Sequence, residues 1–240
     1  MEYKANAPMN FRRAGNIREL GGYAGAGGRP LNTRRLLRGG DLSRLDQNEL
    51  EALREYGIRT SIDLRAAEEK YKDDPMSRSD SFFYYSVPIK GSLDHMVPGR
   101  IMYDLYIGIL EEQKDCFSRT LRLIAREPDG IIFHCTAGKD RTGLTAMLVL
   151  SLCGVSEEQI IADYCTSGDN NKDETAEQIA MLEKSGYKGI PHEVFESRPE
   201  TMAGTIEYLR EHYGDTEKYV LSTGLSKEDI GLIRKKMLGD

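Results

Sequence analysis

Apolar and polar positions alternate with two different periods along the first half of the chain, one typical of strands and one of amphipathic helices. Elements of the two kinds follow one another, which is typical of folds in which helices pack on a sheet. The pattern predicts, in chain order, short strands joined by a glycine-rich turn, a capped helix, two strands and one continuous helix, over residues 11–40, 46–57, 58–64, 82–89 and 101–126.

The second half begins with a β-branched and aromatic run, Ile131–Phe133, followed by an almost wholly apolar helix over 144–153. A helix that is apolar on nearly all sides is expected at the centre of a fold, packed in every direction. Residues 168–172 are polar and predict a loop. Further helices are predicted after Ser156 and near residues 174–185, 199–213 and 226–238.

These elements indicate an α/β fold class, with a central sheet of about four to five strands flanked by helices and a helical C-terminal portion. At 240 residues the chain can bury a substantial core, and neither a repeat nor a long linker divides it. We therefore expect one domain over residues 1–240. Residues 1–45 would form N-terminal strands and a hairpin, and residues 131–154 a strand, a loop and a helix.

Composition narrows the possible functions. No apolar run approaches the roughly 18–20 residues of a membrane span, so no integral membrane association is expected. The first residues lack a basic-then-apolar leader, so a cytoplasmic location is the default, with export by a signal-less route or after loss of a leader left open. Four cysteines without a Cys-x-x-Cys pair and four scattered histidines predict neither a metal nor a cofactor. A monomer is the default oligomeric state.

The net charge of −6 is unevenly distributed. Residues 1–65 carry twelve Lys or Arg against eight Asp or Glu, about +4, so the remainder carries about −10. Two interpretations of the arginines in this first part stay open: they face an anionic substrate or membrane surface, or they are solvated and ion-paired. No basic stripe is interleaved with aromatic residues, so no nucleic-acid partner is expected.

The candidate chemistry lies in residues 134–143, between the second-half strand and the apolar helix. A strand, a glycine-bearing loop and a helix start, in that order, build an anion site from backbone N–H groups. Cys135 lies in this loop, where a helix N-terminus and nearby cations stabilise a thiolate. Arg141, after five intervening residues, offers a planar fork that matches two phosphate oxygens. Together they predict attack on phosphorus by Cys135 through a thiophosphate intermediate, with Arg141 as the phosphate clamp.

The same spacing recurs at Cys116 and Arg122. That stretch has no glycine, carries bulky side chains and is predicted to be continuous helix. Because a continuous helix cannot fold into a phosphate cradle, this match is interpreted as chance. The strand, glycine and helix around Cys135 therefore carry the signal, and the spacing alone does not.

The loop His-Cys-Thr-Ala-Gly-Lys-Asp-Arg-Thr-Gly, over residues 134–143, resembles the signature loop of the cysteine-dependent protein tyrosine phosphatase superfamily. The amino-acid sequence of this loop is similar to that of the atypical bacterial branch, which is typified by secreted mycobacterial and listerial phosphatases. The resemblance implies a protein-tyrosine-phosphatase-like domain that acts on phosphotyrosine in proteins, with phosphoinositides as a close alternative and phosphoserine or phosphothreonine further behind. The same resemblance extends over nearly the whole chain, in Phe11-Arg12, Gly15–Tyr23, Leu37–Ser43, Ile62–Arg65 and Tyr219–Leu238.

Neighbours of the cysteine take supporting roles in this interpretation. His134 is expected to orient the loop and tune Cys135. Thr142 is expected to hydrogen-bond the thiolate, although it also fits a plain helix N-terminal position. Gly138 supplies the conformation that close approach to a ligand requires. The loop residues expected to bind substrate are Thr136, Ala137, Gly138 and Lys139.

Two aspartates are candidates for the general acid that protonates the leaving group. Tyrosine-specific relatives carry this acid on a loop that begins with tryptophan, and this chain has no tryptophan. The resemblance to the atypical bacterial branch implies Asp140 as the first choice. Asp94 is the second, because dual-specificity relatives place the acid after the strand equivalent to 82–89. Asp63 and Arg65, at the end of a predicted strand where α/β sheets collect ligands, are expected to orient the loop and contact the substrate.

Lys139 has two open interpretations. A second cation in the loop suits a substrate with more than one phosphate, as the resemblance to phosphoinositide phosphatases with a Gly-Lys loop implies. Alternatively, Lys139 only stabilises the thiolate. Two other function classes are weighed against a phosphatase: a non-catalytic phosphate-binding module, which usually lacks the cysteine or the arginine, and a sulfurtransferase with a reactive loop cysteine.

The helices after the apolar helix suggest a lid. By resemblance to the mycobacterial relatives, residues 174–213 would cover the pocket, with the polar stretch 168–172 as a hinge, so that 168–213 is the candidate lid region. The alternative is that these helices only pack on the sheet, through Ile179 and Leu182.

Overall fold

The computed structural model describes residues 11, 14–91, 97–184 and 191–239, without the side chains of residues 182 and 183. These residues form a five-stranded mixed sheet flanked by helices, so the predicted α/β fold class is confirmed. The strands are β1 (Arg18–Glu19), β2 (Leu36–Gly39), β3 (Ile58–Asp63), β4 (Phe83–Ser86) and β5 (Gly130–His134). The helices are α1 (Gln47–Tyr56), α2 (Ile101–Glu112), α3 (Lys114–Arg126), α4 (Asp140–Leu152), α5 (Glu157–Asn170), α6 (Lys172–Lys184), α7 (Pro199–Tyr213), α8 (Thr216–Ser222) and α9 (Lys227–Leu238).

The strand order is β1-β2-β5-β3-β4, and only β1 runs antiparallel to its neighbour. The register places Gly39, His134, Asp63 and Ser86 side by side at the last positions of the four parallel strands. The chain segments that follow these strands therefore meet at one edge of the sheet, where ligands bind in open α/β folds.

Helix α4 is the central helix of the fold. Ten of its thirteen residues are buried, and it packs against β2, β5 and the helices α3, α5, α8 and α9. This burial confirms the prediction for the apolar run after the loop. Each fully buried Leu or Val side chain contributes about 1.5–3 kcal/mol of transfer free energy. Helix α1 packs on the sheet in a second apolar cluster, with a confirmed capping box at Asp46 and a left-handed end at Gly57.

The helix predicted over 101–126 is two helices. Gln113 leaves the helical conformation, with φ −110° and ψ 28°, and separates α2 from α3. The sequence carries neither glycine nor proline here, so no local signal marks the break. The break lets both helices bury their apolar sides in the same core, including Tyr106 and Leu110 on α2 and Phe117 and Leu121 on α3.

The prediction of a loop over residues 168–172 is also wrong. Helix α5 continues to Asn170 and α6 begins at Lys172, with only Asn171 between them at φ −98° and ψ 5°. Two of these residues are polar because they bond to other parts of the fold: Asn170 donates to the side-chain oxygen of Asn16, and Asn171 donates to a backbone carbonyl. Helix α8 was not predicted.

Two arginines of the positively charged first part confirm the ion pairing of the second interpretation but not the solvation. Arg18 and Arg38 are ion-paired with Asp163, but they are fully buried and not solvated. Among the described residues, no helix is long and apolar enough to cross a membrane. The same residues hold no cluster of three or more side chains suited to a metal ion.

Candidate active site

The loop after β5 carries Cys135 and turns directly into α4. Gly138 has a positive φ of 63°, and a Cβ at this position would lie 2.5 Å from the carbonyl carbon of Gly39. A side chain therefore fits neither the conformation nor the space. The glycine lets the loop pack closely against the end of β2.

The four carbonyl groups of residues 136–139 all accept hydrogen bonds from the protein, and we call the side of the loop that they face its carbonyl face. Each carbonyl is bonded, so the loop backbone is fixed at every residue of this turn. In chain order the donors are the Asp41 N–H (2.9 Å), the Asn16 and Asn171 amides (3.0 and 2.8 Å), the Asn16 amide and Arg38 (3.0 and 2.8 Å), and the Gly143 N–H (2.8 Å).

The N–H groups of the same residues, 136–139, donate to no acceptor in the described part of the chain. We call the side that they face the amide face. Consecutive unbonded N–H groups that lead into a helix N-terminus form an anion-binding concavity, to which the helix dipole adds favourable potential. This arrangement of N–H groups is the one that the order of strand, glycine-bearing loop and helix predicts, and we call it the cradle.

Arg141 and Cys135 lie at this cradle, and Cys135 is almost fully buried. Arg141 makes a two-pronged ion pair with Glu69, whose Oε1 also accepts from the Thr136 hydroxyl at 2.8 Å. Burial disfavours the guanidinium charge, but Cys135 and Glu69 outweigh it and raise the pKa of Arg141 above its usual value. Burial likewise disfavours the Glu69 charge, and Arg141 outweighs it and lowers the pKa of Glu69. Glu69 occupies two of the five donors of Arg141.

Asp140 is the first residue of α4, and its Oδ1 accepts from the Tyr106 hydroxyl at 2.6 Å. The Tyr106 oxygen also lies 2.9 Å from the hydroxyl of Tyr164. Burial, with the nearby Asp140 carboxylate, raises the pKa of Tyr106 well above its usual value. Tyr106 is therefore a neutral phenol at physiological pH, and it fixes the orientation of Asp140.

Lys139 is buried, and its ammonium donates to the carbonyls of Val194 and Glu196 at 2.6 and 3.2 Å. The Glu193 carboxylate in the same segment accepts from the N–H groups of Gly99 and Ile101 at the start of α2, at 3.1 and 2.6 Å. These contacts attach residues 193–196 both to the loop and to α2.

The family is decided by comparison with known proteins. A family model described as "Tyrosine phosphatase family" matches residues 9–239. The chain belongs to the tyrosine phosphatase family. The resemblance inferred from the loop is thus confirmed, and this phosphatase is a hydrolase of phosphoric monoesters.

Two relatives are similar to this chain in sequence, and one solved structure aligns with it at low similarity. A tyrosine-protein phosphatase of Nostoc commune is 30% identical over 215 residues, which cover 84% of this chain and 73% of that protein. The triple specificity protein phosphatase PtpB of Mycobacterium tuberculosis is 25% identical over 94% of this chain and 97% of its own length. The crystal structure of P. aeruginosa TpbA aligns with 80% of this chain and 87% of its own at 13% identity, with a TM-score of 0.38, too distant to inform the fold.

Two further predicted residues of the phosphatase loop have unexpected surroundings. His134 is buried with its Nε2 3.2 Å from Asp74, and its Nδ1 has no partner among the described residues. Burial opposes the Asp74 charge, but His134 outweighs it and lowers the pKa of Asp74. The expected hydrogen bond from Thr142 to the Cys135 sulfur is not made. The Thr142 hydroxyl is buried and has no hydrogen-bond partner among the described residues.

Asp63 and Arg65 lie together beside the loop, as the strand prediction implied. Arg65 donates to both Asp63 oxygens at 3.0 Å and to Asp41 at 2.5 Å. Burial raises the pKa of Asp63, but Arg65 outweighs this and holds it below its usual range. Because the Asp41 N–H holds the Thr136 carbonyl, the pair supports the loop through Asp41. Asp94 lies outside the described residues.

Sequence reasoning missed the residues that surround the phosphatase loop. They come from distant parts of the chain and carry no motif of their own, so only the fold brings them to the site. One signal was present: Asn16 lies inside the Gly15–Tyr23 stretch that carried the family resemblance. The missed residues are Asn16, Glu69, Asp74, Tyr106 and Asn171.

Proposed function

We propose that this phosphatase hydrolyses phosphotyrosine in proteins through a phosphocysteine intermediate, with Cys135 as nucleophile and Arg141 as phosphate clamp. The observation that carries the proposal is the run of unbonded amides over 136–139 beside both side chains. Such a concavity with a cation and a cysteine suits a phosphoryl group, whose oxygens accept from the amides and the guanidinium. We also infer that residues 1–240 form one phosphatase domain, which the match over 9–239 supports.

The reaction proceeds in two displacements. The Cys135 thiolate attacks phosphorus, an S–P bond forms, the P–O bond to the tyrosine breaks, and protonated Asp140 gives its proton to the leaving oxygen. Water then attacks the phosphocysteine, Asp140 takes a proton from it, and the S–P bond breaks to release phosphate and the thiolate. Arg141 and the loop amides hold the equatorial oxygens in both steps. We propose that the Thr142 hydroxyl, which is buried without a partner among the described residues, hydrogen-bonds the departing thiolate during the reaction.

Asp140 is the proposed acid because Tyr106 orients it at the start of α4. Asp140→Asn should lower kcat by about 10²–10⁴-fold on phosphotyrosine and remove the basic limb of the pH profile. The loss should shrink on an aryl phosphate with a better leaving group, which needs less protonation. An unchanged rate and basic limb would exclude Asp140 and make Asp94 the next residue to mutate.

Phosphoinositides, phosphoserine and phosphothreonine are proposed as further substrates, and a primary phosphoinositide activity is the alternative. The M. tuberculosis relative is a triple specificity protein phosphatase, and this supports a broad substrate range. Lys139 supports it less directly. Its ammonium bonds to the Val194 and Glu196 carbonyls, so it must leave them before it can contact a second phosphate.

The test is initial phosphate release, without metal, from a phosphotyrosine peptide and phosphatidylinositol 3-phosphate side by side, with Cys135→Ser as the blank. Turnover of both, with Lys139→Met selectively slowing the lipid, would support the broad range. Peptide-only turnover would leave Lys139 to stabilise the thiolate and hold residues 194–196. Absence of any turnover would favour a phosphate-binding module, and thiosulfate turnover a sulfurtransferase.

We infer that the lid is smaller than 168–213. Helix α6 is exposed over most of its described side chains, whereas α7 buries Met202 and Leu209 in the main core. Ile179 is half-buried, and Leu182 lies outside the described side chains. The lid would then comprise α6 and residues 191–198. Hydrogen exchange should show α6 exchanging faster than α4 and α7, and equal protection of all three would exclude this lid.

A further inference from the structure

A buried charged cluster lies on the carbonyl face of the loop, away from the reacting groups. Arg18 and Arg38 both pair with Asp163, with the Arg18 Nε 3.0 Å from its Oδ1, and all three residues are buried. Burial raises the pKa of Asp163, but the two arginines outweigh this and lower it. Two guanidiniums against one carboxylate leave an excess positive charge. Burying such ions is costly, and apolar residues of similar volume usually stabilise a fold at least as well.

Three side chains from distant parts of the chain donate to the loop, and two of them, Arg38 and Asn16, also contact the cluster. Arg38, on β2, donates to the Gly138 carbonyl at 2.8 Å while its other nitrogen pairs with Asp163. Asn16, before β1, donates to the Ala137 and Gly138 carbonyls at 3.0 Å each. Asn171, at the end of α5, donates to the Ala137 carbonyl at 2.8 Å.

Asn16 is itself held in an unusual conformation. Its φ is +57°, in the left-handed region that costs a non-glycine residue energy. Its side-chain oxygen accepts from Arg18 and, at 3.0 Å, from Asn170. The side-chain amide of Asn16 therefore joins the loop to Arg18 of the cluster and to the end of α5.

The planarity of the peptide bond gives these contacts a consequence on the opposite face. A trans peptide is planar, and within its plane the C=O of one residue and the N–H of the next point in opposite directions, on opposite sides of the C–N bond. When the carbonyls of residues 137 and 138 are held on the carbonyl face, the N–H groups of residues 138 and 139 must point to the amide face. The donors thus determine where the anion-binding amides lie.

We propose that Arg38, Asn16 and Asn171 are positioning residues that keep the amide face of the phosphatase loop open to the phosphoryl group. Asp163 holds the fork of Arg38 in place for this role. The inference rests on the proposed function, because it assigns phosphoryl binding to the amides of residues 136–139. It assigns no contact with substrate to these side chains, and they act through the loop backbone.

The test compares two asparagines that make equivalent bonds. Asn171→Ala removes one donor from the loop, and Asn32→Ala removes an amide that donates to the Lys236 carbonyl at 3.1 Å, a bond that involves no loop residue. Calorimetric titration with tungstate, a tetrahedral oxyanion, measures the cradle directly. Asn171→Ala should weaken tungstate binding and lower kcat/KM about threefold to tenfold, whereas Asn32→Ala should lower the melting temperature without changing either.

Arg38→Lys is the second variant, since it keeps the charge but loses the fork that joins Asp163 to Gly138. It should weaken tungstate at least as much as Asn171→Ala. Wild-type tungstate affinity in folded Asn171→Ala and Arg38→Lys would overturn the inference while leaving the proposed function intact. A wild-type protein that binds no tungstate and releases no phosphate would overturn the proposed function itself, and with it this inference.

Discussion

Two stretches of this phosphatase have a cysteine and an arginine separated by five residues, and they differ in almost every other respect. Cys116 and Arg122 lie within α3, where six positions along a helix place two side chains about 120° apart around the axis. The Cys116 thiol lies 3.3 Å from the Pro88 carbonyl as its acceptor, and Arg122 donates to the Gly224 carbonyl at 3.2 Å. Cys135 and Arg141 span a loop that bends back on itself before α4 begins.

The difference lies in what the backbone has left to offer. The N–H groups of residues 117–120, which correspond to 136–139, bond within α3 to carbonyls four residues earlier, so no anion can bind to them. In the loop, donors on the carbonyl face hold the backbone, and the N–H groups of residues 136–139 remain unbonded. Burial, with Asp115 nearby, also raises the pKa of Cys116, which leaves little thiolate at neutral pH. The comparison teaches that available amides, and not residue spacing, distinguish a phosphate site.

Mutating the two cysteines should give the largest difference in activity between the two stretches. Cys135→Ser should lower kcat on a phosphotyrosine peptide by about 10⁴-fold or more, because no other described group replaces the nucleophile. Cys116→Ser should retain activity within about twofold and cost only a little stability. Steady-state phosphate release measures both, and a comparable loss in Cys116→Ser would break the comparison.

The two arginines give the next largest contrast. Arg141→Lys replaces a planar fork by a point charge and should lower kcat/KM about 10²–10³-fold. Arg122→Lys keeps a surface charge on α3 and should leave kcat/KM unchanged. The Arg141 assignment fails if Arg141→Lys turns over at the wild-type rate, provided that both variants melt as cooperatively as the parent protein.

The third position of each spacer tests the conformational difference. Gly138→Ala introduces a Cβ 2.5 Å from the Gly39 carbonyl carbon, at a residue with φ +63°. It should therefore lower the free energy of unfolding by about 1–3 kcal/mol, and it should lower kcat/KM by a proportionally larger amount. Arg119, which occupies the same place in the other stretch, is exposed on α3. Arg119→Ala should leave both unchanged. Urea unfolding and kcat/KM for both variants check this, and an active, fully stable Gly138→Ala would contradict it.

The smallest effect concerns the carboxylate partner of Arg141. The pKa of Glu69 is lowered in the folded protein, so its pair adds stability above the ordinary glutamate pKa and loses it as the pH falls. Glu69→Gln should therefore cost about 0.5–1 kcal/mol near pH 7, and the difference should shrink below the ordinary glutamate pKa and vanish below the lowered pKa of the folded protein. Unfolding free energies at several pH values measure it, and a difference that persists in acid would assign the loss to something other than charge.

The sequence carried most of the fold and the centre of the site. Local signals are strong in both: the capping box at Asp46, the apolar helix after Gly143 and the strand before His134 need no tertiary information. Local signals failed where distant contacts decide. The helix breaks at Gln113 although residues 109–117 contain neither glycine nor proline, and Asn171 is polar because it bonds to a loop carbonyl and not because it lies in a loop.

The residues around the cradle could not be predicted from local sequence signals either, because distant contacts bring them to the site. Glu69 and Tyr106 carry no local signal of a partner at Arg141 and Asp140, because those contacts span more than thirty positions. Only the convergence of β2, β3, β5 and α2 at one edge brings them together. The predicted bond from Thr142 to Cys135 was a local inference, and it is not made.

The most direct test of the account is to trap the covalent intermediate. The protein would be mixed with a phosphotyrosine peptide, quenched in acid within milliseconds, digested, and analysed by mass spectrometry for phosphocysteine. The proposed phosphocysteine mechanism predicts one phosphate on the peptide that contains Cys135 and none on the peptide that contains Cys116. Turnover without phosphate on Cys135, or phosphate on Cys116, would contradict it.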